Sequence, residues 1–237
     1  MKEKNQPNIV LLSSWGSDVA TWAKPILDTG YQIKAIIMDG DIVNPKNYRI
    51  VSERTGGLYF PLSITDLEEF FIPVYFVKNH NNQYSLKLIK LLSADLLVNS
   101  GTPRILKRPL LQLPKIGVLN CHPSLLPKYR GCTAVEWALH FGDKLGATCH
   151  FMDDKIDSGK IVYQEELVFP ITDSYEAIRT KMIYHTAKVM AKGIKLVINK
   201  KLFPNNLPSQ ISSRYYSVID HHKIREIRKK YPFENDQ

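Results

Sequence analysis

Cysteine, phosphate-binding glycine loops and long apolar runs are what this chain has least of. Its 237 residues hold only three cysteines, Cys121, Cys132 and Cys149. That is too few for a disulfide framework, and no C-x-x-C occurs, so a reducing cytoplasm is the expected compartment. Neither G-x-G-x-x-G nor G-x-x-x-x-G-K-[ST] is present, and Gly16 is a lone turn glycine, so dinucleotide and P-loop chemistry lose their sequence basis. H-E-x-x-H is missing, and the seven histidines show no zinc-type spacing with the cysteines; no metal is expected. No apolar run approaches the ~18 residues a membrane helix needs, and the N-terminus lacks the apolar region and cleavage site of a signal peptide.

The rest of the composition is ordinary for a globular chain, 44% hydrophobic and 23% charged, but the net charge of +9 is unevenly placed. Residues 1–180 hold 20 Lys and Arg against 19 Asp and Glu, whereas residues 181–237 hold 12 against 4. The body is nearly neutral and the last quarter basic. A basic end suits an anionic partner, or simply a solvated helix face.

Short continuous apolar runs alternate with helical patterns. Strands are expected at Asn8–Leu12, Ile33–Met38, Val74–Val77, Asp95–Val98, Ile116–Leu119, Thr148–Met152 and Ile161–Val168. Helices are expected after Asp18, ending at Gly30, around Ser85–Leu92 and Val135–Leu139, and from Ser174 to about Asn199. Continuous apolar strands between helices imply an α/β fold with a largely parallel sheet covered on both faces, where ligands bind at the carboxyl ends of the strands. Residues 1–200 read as one catalytic domain and 201–237 as a C-terminal extension containing a basic amphipathic stretch, Lys223–Lys230.

The segment from Val118 to Gly131, V-L-N-C-H-P-S-L-L-P-K-Y-R-G, carries chemistry. Asn120 and His122 stand two apart at a strand end, so both side chains share a face. A carboxamide can donate to an oxyanion, and an imidazole can move protons near neutral pH, which together suit acyl chemistry. Cys121 points the other way and reads as a core thiol. Downstream, G-A-T-C-H-F at 146–151 precedes Asp153-Asp154-Lys155-Ile156-Asp157-Ser158-Gly159-Lys160-Ile161, in which Asp-Ser-Gly is a tight turn able to present one carboxylate.

Together, N-x-H-P-S-L-L-P-K-Y-R-G, G-x-T-x-H-F and D-x-G-x-I resemble the formyltransferase family that uses 10-formyltetrahydrofolate, over roughly residues 8–200. The resemblance implies a Rossmann-like, largely parallel sheet and a catalytic set of Asn120, His122 and Asp157. It implies direct attack of an amine on the formyl carbon, with Asn120 and a protonated His122 stabilising the oxyanion while Asp157 favours the imidazolium. It also implies a folate site along two loops, Pro103, Arg104, Ile105 and Leu106 on one, and Met152, Asp153, Asp154 and Ile156 on the other.

Three acceptor branches of that family compete. The glycinamide ribonucleotide enzymes use a Gly-Ser-Asn turn for the substrate phosphate, where this chain has Gly16-Ser17-Asp18, and a Glu-His pair where it has Tyr184-His185. Methionyl-tRNA formyltransferases carry a second domain, for which the residues after Lys200 are too few. The expected acceptor is therefore a nucleotide-linked amino sugar of the kind used in lipopolysaccharide O-antigen synthesis. Trp15, Gly16, Ser17, Arg130, Tyr215 and Tyr216 are the candidate substrate contacts, and a homodimer is expected. A nucleic-acid binder built on a degenerate form of the fold is the alternative outside enzymes; the intact Asn120, His122 and Asp157 count against it, and nucleic acid is not expected as the partner.

Overall fold

Ile9 to Leu12, apolar at every position, forms the middle of a sheet. The computed structural model describes residues 6–14, 18–40, 45–62, 64–211 and 213–233. Its strands are β1 (Ile9–Ser14), β2 (Ile33–Asp39), β3 (Val74–Val77), β4 (Leu96–Asn99), β5 (Gly117–His122), β6 (Arg130–Gly131), β7 (Leu145–Phe151), β8 (Ile161–Leu167) and β9 (Tyr215–Tyr216). Its helices are α1 (Val19–Leu27), α2 (Pro45–Thr55), α3 (Gln83–Leu91), α4 (Arg108–Leu111), α5 (Ala134–Phe141), α6 (Tyr175–Lys200) and α7 (His221–Lys230).

Seven strands form one sheet in the order β3-β2-β1-β4-β5-β7-β8. The first five run parallel, while β7 pairs antiparallel with both β5 and β8. Alternation along β1 divides the interior: Ile9 and Leu11 enter one apolar cluster, Val10 and Leu12 the other, and both clusters are buried. The larger cluster lies under α1, α5 and α6. Gly193 of α6 passes so close to β7 that a Cβ there would sit 2.3 Å from Cys149 Sγ. Ser174 caps α6 by accepting from Ala177 N–H at 3.1 Å.

The expected strands and helices are found with boundaries shifted by a few residues. β7 begins at Leu145, earlier than the apolar run indicated, and the amphipathic basic stretch starts at His221. The extension after residue 200 lies against the body: β9 pairs with β6, and Ile219 and Ile227 are buried in the larger cluster. Arg228 bridges to Glu176 and Lys223 to Asp220, so part of the basic charge is paired locally. Among the described residues no helix is long and apolar enough to cross a membrane.

Candidate active site

Parallel pairing sets the carboxyl ends of β4 and β5 side by side, with Asn99 closing one and Asn120 and His122 closing the other. Antiparallel pairing then brings in β7, where His150 is the cross-strand partner of Asn120 and Thr148 that of His122. Cys121, on the opposite face, lies across from Cys149 in the core; burial pushes both thiols up, so neither is a nucleophile.

A hydrogen-bonded chain fixes the Asn120 carboxamide. Gly101 and Thr102 N–H donate to Asn99 Oδ1 at 3.2 and 2.9 Å, and Asn99 Nδ2 donates to Asn120 Oδ1 at 2.9 Å. At the other end His150 Nδ1 lies 2.9 Å from the Phe151 carbonyl, which can only accept, so Nδ1 carries the hydrogen. Burial pulls the His150 imidazole below its ordinary value, more than the Phe151 carbonyl and the Asp157 charge push it up. Neutral and protonated on Nδ1, it accepts from Asn120 Nδ2 through Nε2 at 3.1 Å. One Nδ2 hydrogen of Asn120 is thus used and the other is left to meet a ligand.

His122 and Asp157 complete the group. His122 Nε2 donates to the Tyr129 carbonyl at 2.8 Å, and its Nδ1 lies 3.4 Å from Asp157 Oδ2. The same carboxylate oxygen accepts from Gly131 N–H at 2.9 Å, while Oδ1 lies 3.7 Å from His150 Nε2. Three non-glycine residues around this carboxylate are left-handed, Tyr129, Thr133 and Asp157, at φ of 54°, 49° and 50°. Such backbone persists only where surrounding contacts over-determine it, and it clusters at functional sites.

The two expected cofactor loops follow β4 and β7. Leu106 is buried, and Met152 packs against the cluster that contains it, so the loops share one apolar base. Ile105 and Ile156 are their exposed apolar side chains, 69% and 43% accessible. Asp153 accepts from Lys155 N–H and Ser158 Oγ within its own loop, and Asp154 and Pro103 lie in these loops without bringing a further contact to the carboxamide chain. The Arg104 side chain turns back toward the sheet. Its guanidinium is held in a bidentate pair with the fully buried Asp39 at the end of β2, both contacts at 2.6 Å, and also reaches the Lys78 carbonyl. It anchors the loop from behind.

Among the expected substrate contacts, Trp15, Gly16 and Ser17 lie outside the described residues. Arg130 donates through Nε and Nη2 to the Ile156 carbonyl, tying β6 to the second loop. Tyr215 and Tyr216, being adjacent on a strand, part company. Tyr216 joins an aromatic cluster with Tyr129, Trp137 and Phe141, whereas Tyr215 is 48% accessible and its hydroxyl lies 3.7 Å from Cys132 Sγ. The Cys132 contact, with Asp157 adding its charge, raises the Tyr215 phenol. Asn99 and His150 are members that sequence reasoning left without a role. The signal for both was available: a polar residue ending an apolar strand at the level of Asn120.

The family model described as formyl transferase matches residues 63–194. The chain is 32% identical to a bifunctional polymyxin resistance protein ArnA of Wigglesworthia glossinidia brevipalpis, over 61% of this chain and 22% of that one. It is 27% identical to a methionyl-tRNA formyltransferase of Syntrophus aciditrophicus, over 73% of this chain and 53% of that one. It therefore spans about half, or less, of these curated relatives. In fold it is similar to glycinamide ribonucleotide transformylase 1 from Symbiobacterium toebii, with a TM-score of 0.67 and 21% identity over 89% of this chain and 96% of that one.

Proposed function

The chain belongs to the formyl transferase family, and on that footing we propose that it moves a formyl group from 10-formyltetrahydrofolate to the amine of a nucleotide-linked amino sugar, in the cytoplasm. The observation that carries the reading is the convergence of Asn120, His122 and Asp157 at the carboxyl end of the sheet. The formyl donor fits the residues beside them. A flat pterin needs apolar walls, and Ile105 and Ile156 stand exposed on the two flanking loops, with Leu106 and Met152 beneath. Hydrogen bonds to its edge fall to loop backbone, because the Arg104 head is held by Asp39.

The chemistry assigned to the chain is direct acyl transfer. The acceptor nitrogen attacks the formyl carbon, the bond from that carbon to the donor nitrogen breaks, and the proton lost by the amine reaches the departing nitrogen. Asn120, locked with one N–H toward the cleft, meets the oxyanion as it forms. Asp157 Oδ2 and the His122 Nδ1 beside it carry the proton. Their separation of 3.4 Å is long for a hydrogen bond, so the imidazole can exchange that contact for substrate without breaking its hold on the Tyr129 carbonyl.

Two features support the sugar acceptor. Asp18, at the start of α1, is a carboxylate held by the Tyr59 hydroxyl. It sits where a terminal phosphate such as that of glycinamide ribonucleotide would meet repulsion. Tyr215 offers an exposed aromatic face beside Asp157, on which a sugar ring stacks. A homodimer is part of the same reading, checked by light scattering. The test is incubation with 10-formyltetrahydrofolate and a panel of amino-sugar nucleotides, glycinamide ribonucleotide and methionyl-tRNA, following tetrahydrofolate release and the mass of the acceptor. Formylation of an amino-sugar nucleotide alone is the expected result. Preference for either other acceptor overturns the sugar assignment, and no formylation at all overturns the activity.

A further inference from the structure

We propose that the stretch from Gln210 to Tyr216, which lies beyond the family-matched residues 63–194, is a strap that holds Asp157 in place, with Gln210 as its positioning residue. Ser212 lies outside the described residues. The proposal takes its chemical meaning from the formyl-transfer reading above and its support from geometry.

The strap touches the Asp-Ser-Gly turn and the segment from Pro127 to Cys132. Gln210 Nε2 donates to the Gly159 carbonyl at 2.5 Å and reaches the Asp157 carbonyl at 3.4 Å, so it holds the first and last carbonyls of the Asp-Ser-Gly turn that carries the carboxylate. Ser213 Oγ donates to the Pro127 carbonyl at 2.5 Å, and Cys132 N–H donates to the Tyr216 carbonyl at 2.9 Å. Between those two points β6 pairs with β9, and Gly131 offers its N–H to Asp157 Oδ2. One segment thus fixes the carbonyl side of Asp157 directly and the side-chain side through Gly131.

Asp157 needs such a hold. It is left-handed at φ 50°, in a loop whose neighbours Asp153 to Ile156 are exposed. A non-glycine residue in that region returns to extended or helical backbone once its contacts are removed. Among the described residues, the titratable groups facing His122 are Asp157 and His150. Movement of the Asp157 turn therefore removes the negative charge beside the imidazole.

The chemistry of Gln210 argues that the residue serves the site rather than stability. Both partners of its Nε2 are carbonyls, so the amide orientation is dictated, and that orientation leaves its Oε1 buried without a partner. A buried unpaired acceptor offsets much of what the Nε2 bonds contribute, and an apolar side chain of the same shape removes that acceptor while leaving the Gly159 carbonyl without its donor, so the net change in stability is small. Methionine has that shape.

The test compares wild type with Gln210→Met, reading Tm, kcat, the two KM values and the Gly131 amide proton shift by NMR, which reports the bond from that N–H to Asp157 Oδ2. The expected result is a Tm lowered only modestly, a kcat lower by about tenfold, KM values within about twofold of wild type, and a Gly131 amide resonance moved upfield as that bond lengthens. Gln210→Ala is the second variant, read in the same way. An unmoved Gly131 amide overturns the proposal whatever happens to activity, and a kcat loss that only tracks a lower Tm does the same. A moved amide in a protein that formylates no acceptor leaves the strap standing and overturns the formyl-transfer reading instead.

Discussion

His150 Nε2 stands 3.1 Å from the Asn120 carboxamide nitrogen, and it can only accept there because its own Nδ1 hydrogen is used by the Phe151 carbonyl. The imidazole therefore acts on the site through Asn120, choosing which way the amide faces. With Asn99 accepting nothing from Asn120 and donating to its oxygen, the flip is over-determined from both sides.

Removing the donor and removing its support should differ in size. Asn120→Ala is expected to lower kcat by about 10²- to 10³-fold, the range for losing one oxyanion donor. His150→Leu keeps the donor but frees the amide to rotate, and a loss of about tenfold is expected. Steady-state kinetics on both variants checks the order. A His150→Leu loss equal to that of Asn120→Ala would give His150 a more direct part than orienting the amide.

His122→Ala and Asp157→Asn should each reduce kcat by about 10²-fold or more, since both remove the proton path, while KM for the donor moves little. Because the pair works as a unit, the double variant is expected to be no worse than the poorer single one. Additive losses would separate the two groups into independent roles.

The periodicity of the chain made the frame legible. The short, mostly apolar runs that became β1, β2 and β4, interrupted only by the exposed Lys34 of β2, read as strands buried on both faces, and the long pattern after Ser174 reads as a helix. The N-x-H spacing likewise located Asn120 and His122. What stayed hidden depends on tertiary contacts. α2 is largely polar, and Arg54 near its end is drawn to the fully buried Glu136. β6 and β9 are two residues each and exist only by pairing with one another across the fold. The part played by the Arg104 side chain was hidden for the same reason, since Asp39, its partner, is 65 positions away and stands just past what reads as an ordinary strand.

That pair makes its own prediction. Arg104→Ala leaves the buried Asp39 carboxylate with only the His80 backbone N–H and imidazole beside it. Stripping one partner from a fully buried pair costs about 3–5 kcal/mol; with the Arg104 head partly accessible, about 2 kcal/mol is expected, read from the urea midpoint at constant slope. The loop beginning at Thr102 should loosen with it, raising KM for the folate donor more than it lowers kcat. Equal stability in the variant would mean that water already neutralises Asp39.

Acid should weaken the fold through buried imidazoles. Burial pulls both His80 and His150 below their ordinary values, so each is neutral in the folded chain at a pH where the unfolded chain is protonated. The unfolded state then binds more protons, and stability falls as pH drops below about 6.5, with nothing gained or lost from these groups above it. Urea midpoints measured from about pH 7.5 down to 5.5 should decline, and the decline should be smaller in His150→Gln. A flat profile would place these imidazoles in contact with water.

Gly131→Ala addresses the junction of all these parts. Gly131 is at φ +102°, and a Cβ there would lie 2.5 Å from the Tyr216 carbonyl oxygen and 2.5 Å from the Tyr215 ring. The backbone conformation alone makes alanine unfavourable by more than about 1 kcal/mol. The half-exposed Tyr215 ring can swing aside, but the Tyr216 carbonyl is main chain, so relief must come from parting β6 and β9. Parting them carries the Gly131 N–H away from Asp157 Oδ2, 2.9 Å distant in the native chain. The expected outcome is a kcat loss well beyond the stability change. Wild-type turnover in a stably folded Gly131→Ala protein would show that Asp157 keeps its place without the β6–β9 pair.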